Sequence, residues 1–191
     1  MGFFENSLQN RTLKITAGEE VRRPAQGYVV DTFQQKTWLG YLAFVRILVG
    51  VQFFMVGWPK LTGGRFLTRN GQGLAEELLR GAPKDYLAWH RAFITGFVVP
   101  HAHFFSYLVA IGEVAIAISL ITGCLVRISS LFGAFHNANI YFSVAIAAGS
   151  ATMNYDRLLV LLHLVFVGAS AGRVFGVDGW LKQHFPNYRL F

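Results

Sequence analysis

The sequence is poor in cysteine and in charge, and each shortage narrows the class of protein. Cys124 is the only cysteine among 191 residues, which excludes an intrachain disulfide and a C-x-x-C redox pair. Charged residues make up 14% of the chain and apolar residues 53%, whereas soluble domains carry about 25% charged residues. A soluble protein of this size could not bury so much apolar surface, so the composition predicts an integral membrane protein.

Motifs for common cofactors are also missing. The sequence contains no H-x-x-x-H pair, no G-x-G-x-x-G fingerprint and no P-loop. It therefore has no motif for a haem, metal or nucleotide cofactor, which leaves the cofactor open, with a quinone as a possibility. His101 and His103 are two residues apart, a spacing that points side chains to different faces of a helix and so does not favour a shared metal ion.

The net charge of +7 is spread over the tails and loops. Such residues anchor helix ends at anionic lipid headgroups, and we expect no nucleic-acid binding.

Four apolar stretches are long enough to cross a hydrocarbon core, which takes about 20 helical residues. They run from Trp38 to Trp58, from Phe104 to Ile121, from Ile128 to Gly149 and from Leu158 to Val177. The short links between the last three predict antiparallel neighbours. The expected fold is all-α, with a four-transmembrane-helix bundle over residues 38–181, a polar extension over residues 1–37, a long first loop and an interfacial tail over residues 182–191.

The long first loop contains a short apolar stretch, Phe93 to Val99. Seven residues cannot cross the bilayer, so the stretch is expected at the membrane interface or on the mouth of the bundle, with a re-entrant segment as the alternative. An even number of spans places both termini on one side. The balance of Lys and Arg between the two sides favours placing both termini on the cytoplasmic side of a prokaryotic inner membrane.

Polar side chains inside the spans are the candidate functional residues, because a charge near mid-bilayer costs about 3 kcal/mol or more unless it is paired or faces a cavity. Arg46 and Glu113 lie near the middle of the first and second spans. We predict that they form a buried ion pair or share a network with Gln52, Asn137 and Asn139. Two interpretations stay open, a pair that locks helix register and a site for a substrate or quinone headgroup.

The fourth predicted span carries glycines at intervals of four, Gly168, Gly172 and Gly176. On a helix these positions form a stripe without side chains, where another helix can approach closely. A flat cofactor ring on the same stripe is the alternative.

Three ordered groups of residues carry a resemblance to a known family. They are Arg46, Gly50, Gly57 and Lys60 in the first span, Glu113, Gly123 and Arg127 around the end of the second, and Gly172, Arg173, Gly176 and Asp178 at the end of the last. With them the sequence resembles the DoxX/DoxD family of small prokaryotic membrane proteins, named from subunits of a quinol oxidase and of a thiosulfate:quinone oxidoreductase. The resemblance implies a four-helix membrane fold and an association with quinone-linked electron transfer.

Three functions follow as hypotheses. The first is a non-catalytic accessory or scaffolding subunit of a larger respiratory or photosynthetic complex, with the bilayer and other redox subunits as partners and the extension over residues 1–37 helping to hold it. The second is a catalytic, quinone-reactive subunit of a DoxD-type oxidoreductase, in which Arg46, Glu113, Asn137 and His163 bind and protonate a quinone carbonyl. The third is a small-solute permease.

Overall fold

The computed structural model describes residues 38–63, 66–185 and 187, and this part of the chain is helical, with no strand. Its α-helices longer than one turn are α1 (Trp38–Thr62), α2 (Thr68–Gly81), α3 (Ala88–Phe93), α4 (Ala102–Thr122), α5 (Val126–Ile140), α6 (Ser150–Ala169) and α7 (Val177–His184). The predicted extension over residues 1–37, with its proposed tethering role, lies outside the described residues.

Three helical segments are long and apolar enough to cross a membrane. They are Gly40–Thr62, Ala102–Thr122 and Val126–Ala148, with mean hydropathies of 1.7, 2.1 and 1.2. The last is α5 prolonged by a π-helical turn, Tyr141–Ala145, and one further α-helical turn, Ile146–Ala148. These segments correspond to the first three predicted spans.

The fourth predicted span, Leu158 to Val177, has the wrong bounds. The corresponding helix α6 begins at Ser150 and ends at Ala169. Ser170 takes a left-handed conformation with φ of 50° and ends the helix, and a 3-10 turn, Ala171–Arg173, follows. Polar residues in its first two turns, Asp156 among them, lower the mean hydropathy of α6, which is not among the three candidate spans.

The transmembrane core is built where α1, α4 and α6 meet. Its buried side chains include Val49 and Phe53 from α1, Ile116 and Leu120 from α4, and Phe166 from α6. α5 packs along α6 and also contacts α4. This arrangement leaves polar side chains of α4, α5 and α6 facing the interior of the bundle.

A second apolar cluster covers one end of the bundle. Leu74 and Leu78 of α2 pack with Ile94 and Val98 of the π-helical turn that follows α3. α2 also contacts α4 and the π-helical turn of α5. At Gly81 this last approach is so close that an added Cβ would overlap the Ser143 carbonyl oxygen. The apolar stretch from Phe93 to Val99 therefore packs against α2.

Candidate functional site

A buried carboxylate, Glu113, is the centre of the polar cluster inside the bundle. Only 3% of its side chain is exposed. Its Oε1 accepts a hydrogen bond from Lys60 Nζ at 2.6 Å and one from His136 Nε2 at 2.9 Å. The three side chains come from α4, α1 and α5, and their charge-assisted hydrogen bonds tie the three helices together.

The predicted Arg46–Glu113 pair is wrong, and the register of α1 against α4 explains why. An added Cβ at Gly57 would lie 2.8 Å from the Cβ of Glu113, and one at Gly50 would lie 2.9 Å from the Cβ of Leu120. Rising residue numbers on α1 thus meet falling numbers on α4. Arg46 is eleven residues before Gly57, or about 16 Å along the helix. Along the axis of α1, Arg46 is therefore too far from the level of Glu113 for the two side chains to pair.

Arg46 instead closes the opposite end of the bundle. Its fully buried guanidinium donates hydrogen bonds to the carbonyl oxygens of Ala171 at 2.7 Å, Val174 at 3.2 Å and Phe175 at 2.9 Å. These carbonyls follow the end of α6, where the backbone lacks helical partners and needs donors. An added Cβ at Gly123 or Gly176 would lie 2.7 or 2.9 Å from Arg46 Nη1. The two glycines make room for the guanidinium.

Asp178 completes this end cap. Its carboxylate oxygens accept hydrogen bonds from the backbone N–H of Leu125 at 2.6 Å and of Val126 at 2.9 Å. Val126 begins α5, so the carboxylate satisfies N–H groups at a helix start, where negative charge is favourable. An added Cβ at Gly172 would overlap the Asp178 carboxylate. Nearby, Arg127 donates to Ser170 Oγ at 2.5 Å.

The predicted glycine stripe is wrong because α6 is too short to carry it. Gly172 lies in the 3-10 turn that also contains Arg173, and Gly176 precedes α7. Only Gly168 is on α6, where a Cβ would meet no atom within 4 Å. The last two glycines serve the end cap rather than contact between two straight helices.

A cavity of about 1070 Å³ lies next to the Glu113 cluster. Most of its lining is apolar, and its ionisable lining groups include Lys60, Glu113, His136 and Asp156. The lining also includes Phe135, which is 68% exposed on the outside of the bundle. The cavity thus extends from a buried charged cluster to the surface that faces lipid.

The structure brings some of the predicted network to this cavity. Gln52, Glu113, Asn137 and Asn139 line it, whereas Arg46 and His163 do not. Asn137 donates to the Gly133 carbonyl oxygen of its own helix at 2.8 Å. His163 is fully buried against the rings of Phe53 and Phe166, and its two nitrogens make no hydrogen bond with the described residues.

Asp156 is a site residue that the sequence reasoning missed. Only 4% of it is exposed, and its Oδ2 accepts no hydrogen bond within the described part of the chain. A fourth span that begins at Leu158 places Asp156 in the preceding loop. Its spacing of seven residues from His163, about two helical turns, was the available signal that both lie on one helix face.

Asn139 belongs to a second buried cluster, which joins the link between α2 and α3 to α5. His90 Nδ1 lies 2.5 Å from Asp85 Oδ2, and His90 Nε2 lies 3.2 Å from Asn139 Oδ1. The Asn139 amide donates to the Phe135 carbonyl oxygen at 2.7 Å, which leaves its oxygen facing His90. The His90 ring therefore connects Asp85, in the link between α2 and α3, to Asn139 of α5.

The fold and the cavity define a multi-pass, all-helical membrane protein. The DoxX family model matches residues 41–146, more than half of the chain. The chain therefore belongs to the DoxX family, and the resemblance inferred from its motifs is confirmed. The matched region contains Arg46, Lys60 and Glu113, while Gly172 to Asp178 lie beyond it. No curated protein and no solved structure matches the chain.

Proposed function

We propose that this DoxX-family protein binds a quinone in the cavity and acts as the quinone-reactive subunit of a larger membrane complex. The observation that carries the proposal is the position of the Lys60–Glu113–His136 cluster, at the inner end of an apolar cavity that extends to the lipid-facing surface. A quinone has this same division into a polar ring and a long apolar tail. Lipid-soluble ligands of this kind suit concave, mostly apolar sites with few polar groups.

The donors of the cluster fit quinone carbonyl oxygens. Lys60 carries three N–H donors, of which Glu113 uses one, so others are available to a ligand. Glu113 holds both Lys60 and His136 in place. A carbonyl oxygen in this cavity can therefore meet a positioned donor, while the tail lies along Phe132 and Phe135 toward the lipid.

The proposal includes a partner subunit because the electrons that reduce the quinone need a source. Reduction of a quinone to a hydroquinone takes two electrons and two protons. The described residues contain ionisable groups for the protons, whereas Cys124 is the only thiol in the chain and cannot form a dithiol couple. We therefore assign the electrons to a partner subunit. The mostly apolar lining argues against the permease hypothesis, since a small solute needs a polar path.

We further propose that α6 is the fourth span, with both termini on one side of the membrane. The twenty residues of α6 reach the length needed to cross a bilayer. Single cysteines introduced at Arg23 and at His184, in a chain without Cys124, should react with an impermeant thiol reagent from the same side. Labelling from opposite sides would mean an odd number of spans.

The quinone site can be tested with the purified protein in lipid nanodiscs and a decyl-substituted benzoquinone as the probe. We expect saturable binding, and an azido derivative should label residues of α4 and α5 that line the cavity. Glu113→Gln removes the charge that positions both donors and should weaken binding about tenfold or more. Glu76→Gln is the matched control, because Glu76 is 65% exposed on α2.

Two results would contradict the quinone site. One is the absence of saturable binding, and the other is equal affinity in the wild type and Glu113→Gln. The subunit role has a separate test, which is gentle extraction from the native membrane. We expect co-purification with a redox protein, and a lone chain that reduces quinone without a partner would refute this role.

A further inference from the structure

Four carboxylates are buried in the described part of the chain, and Asp156 is the one whose side chain accepts no hydrogen bond from another described residue. Glu113 is held by Lys60 and His136, Asp85 by His90 and the Leu87 N–H, and Asp178 by two backbone N–H groups. Asp156 is equally buried and lines the cavity, and its Oδ2 has no hydrogen-bond donor among the described residues. Glu113 Oε2 also lacks a donor, but the other oxygen of Glu113 accepts from both Lys60 and His136. A buried polar atom without a partner is rare in proteins and calls for an explanation.

None of the charged groups around Asp156 donates a hydrogen bond to its Oδ2. Lys60 of α1 and His136 of α5 are near enough to act on it through charge, but both donate to Glu113. On its own helix, Arg157 donates to Asn154 at the protein surface. Asp156 can therefore gain or lose a proton without breaking a hydrogen bond of its Oδ2, whereas protonation of Glu113 would disturb its hydrogen bonds with Lys60 and His136.

The chemistry of a carboxyl group makes its protonation state decisive for a carbonyl ligand. An ionised carboxylate only accepts hydrogen bonds, while a protonated carboxyl has an O–H that donates. A ligand carbonyl also only accepts, so it is repelled by the ionised group and bound by the protonated one. We propose that Asp156 is the proton-exchanging residue of the cavity, so that a carbonyl-bearing ligand binds together with one proton from water. This inference rests on the proposed quinone site.

The proposed step conserves atoms and charge. One O–H bond forms on Asp156, the proton comes from the aqueous phase, and nothing is oxidised or reduced on binding. Because one proton is taken up with each ligand, the affinity must fall about tenfold for each pH unit above the range in which the free Asp156 carboxyl ionises. The Lys60–Glu113–His136 cluster then anchors the ring, and the protonated Asp156 carboxyl donates a hydrogen bond to the ligand carbonyl oxygen.

The test is calorimetric titration of the nanodisc-bound protein with the decyl benzoquinone, between about pH 5 and pH 9, in buffers of different ionisation enthalpy. The wild type should take up close to one proton per ligand in the alkaline part of this range. In Asp156→Asn the side-chain amide donates at every pH, so binding should persist without pH dependence. Asp156→Gln carries the same amide and is the second variant if the first fails to fold. Glu76→Gln should keep the wild-type profile.

The outcomes separate this inference from the function on which it rests. Saturable binding without proton uptake in the wild type would overturn the role of Asp156 and leave the quinone site standing. Proton uptake that persists in Asp156→Asn would also overturn it, because the proton would then be taken up by another group such as His136. Absence of binding in the wild type would overturn the quinone site and the inference together.

Discussion

Arg46→Met is the substitution that the structure predicts to be most damaging outside the cavity. The methionine keeps most of the side-chain length, but it removes a fully buried guanidinium and its hydrogen bonds to three carbonyl oxygens. Hydrogen bonds to a charged donor contribute about 1.5–3 kcal/mol each, and the values do not add fully. We therefore expect the free energy of unfolding to fall by about 4 kcal/mol. Arg46→Lys keeps the charge but loses the planar fork, and about half of that loss is expected.

Cys124 provides the assay for this prediction, because it is the only cysteine and lies beside Gly123 in the end cap. A thiol-reactive fluorescent dye should label Arg46→Met at a lower temperature than the wild type, with Arg46→Lys between them. Arg80→Met is the control, since Arg80 is 70% exposed and its loss should change stability by about 0.5 kcal/mol or less. A labelling curve for Arg46→Met that coincides with the wild-type curve would refute the reasoning.

Two further predictions concern other parts of the fold. Gly81→Ala places a Cβ where the Ser143 carbonyl oxygen lies. Because the backbone cannot move away easily, we expect the free energy of unfolding, measured by thermal unfolding, to fall by about 1–3 kcal/mol. Gly96→Ala is the control, because its Cβ meets no atom within 4 Å, and equal effects of the two substitutions would refute the close approach. Burial, and then the charge of Asp178, raises the pKa of the Cys124 thiol. Its thiolate should therefore form at a higher pH than that of a free cysteine. We expect the alkylation rate of the native protein to reach half its maximum at a higher pH than that of the denatured protein. Coincident curves of alkylation rate against pH for the two states would contradict this.

Part of the candidate site could be predicted from the sequence. Glu113 stands out in the sequence because a carboxylate deep in an apolar span needs a partner, and the structure shows two partners for it. Their identity was not predictable, because the depth of a residue within its own span says nothing about the register between helices. That register depends on which small residues meet, and Gly57 against Glu113 sets it here.

The boundary of α6 limited the rest of the prediction. Hydropathy placed the last span too late in the chain, because Ser150 to Arg157 are polar for a membrane segment. This shift assigned Asp156 to a loop and extended the helix through Gly172 and Gly176. Ser170, in the left-handed turn where α6 ends, accepts a hydrogen bond from Arg127, a residue distant in the sequence.

The sequence by itself determined the membrane class, the first three helices long enough to span a bilayer and the family. All three depend on local composition, on segment length and on ordered motifs, which do not require knowledge of packing. Only the tertiary structure decided which charges meet. It placed Arg46 in the end cap, and it placed Lys60, His136 and Asp156 around the cavity. The physical reason is that hydrogen bonds and ion pairs act over a few Å, so they depend on how helices from distant parts of the chain are rotated and aligned against one another.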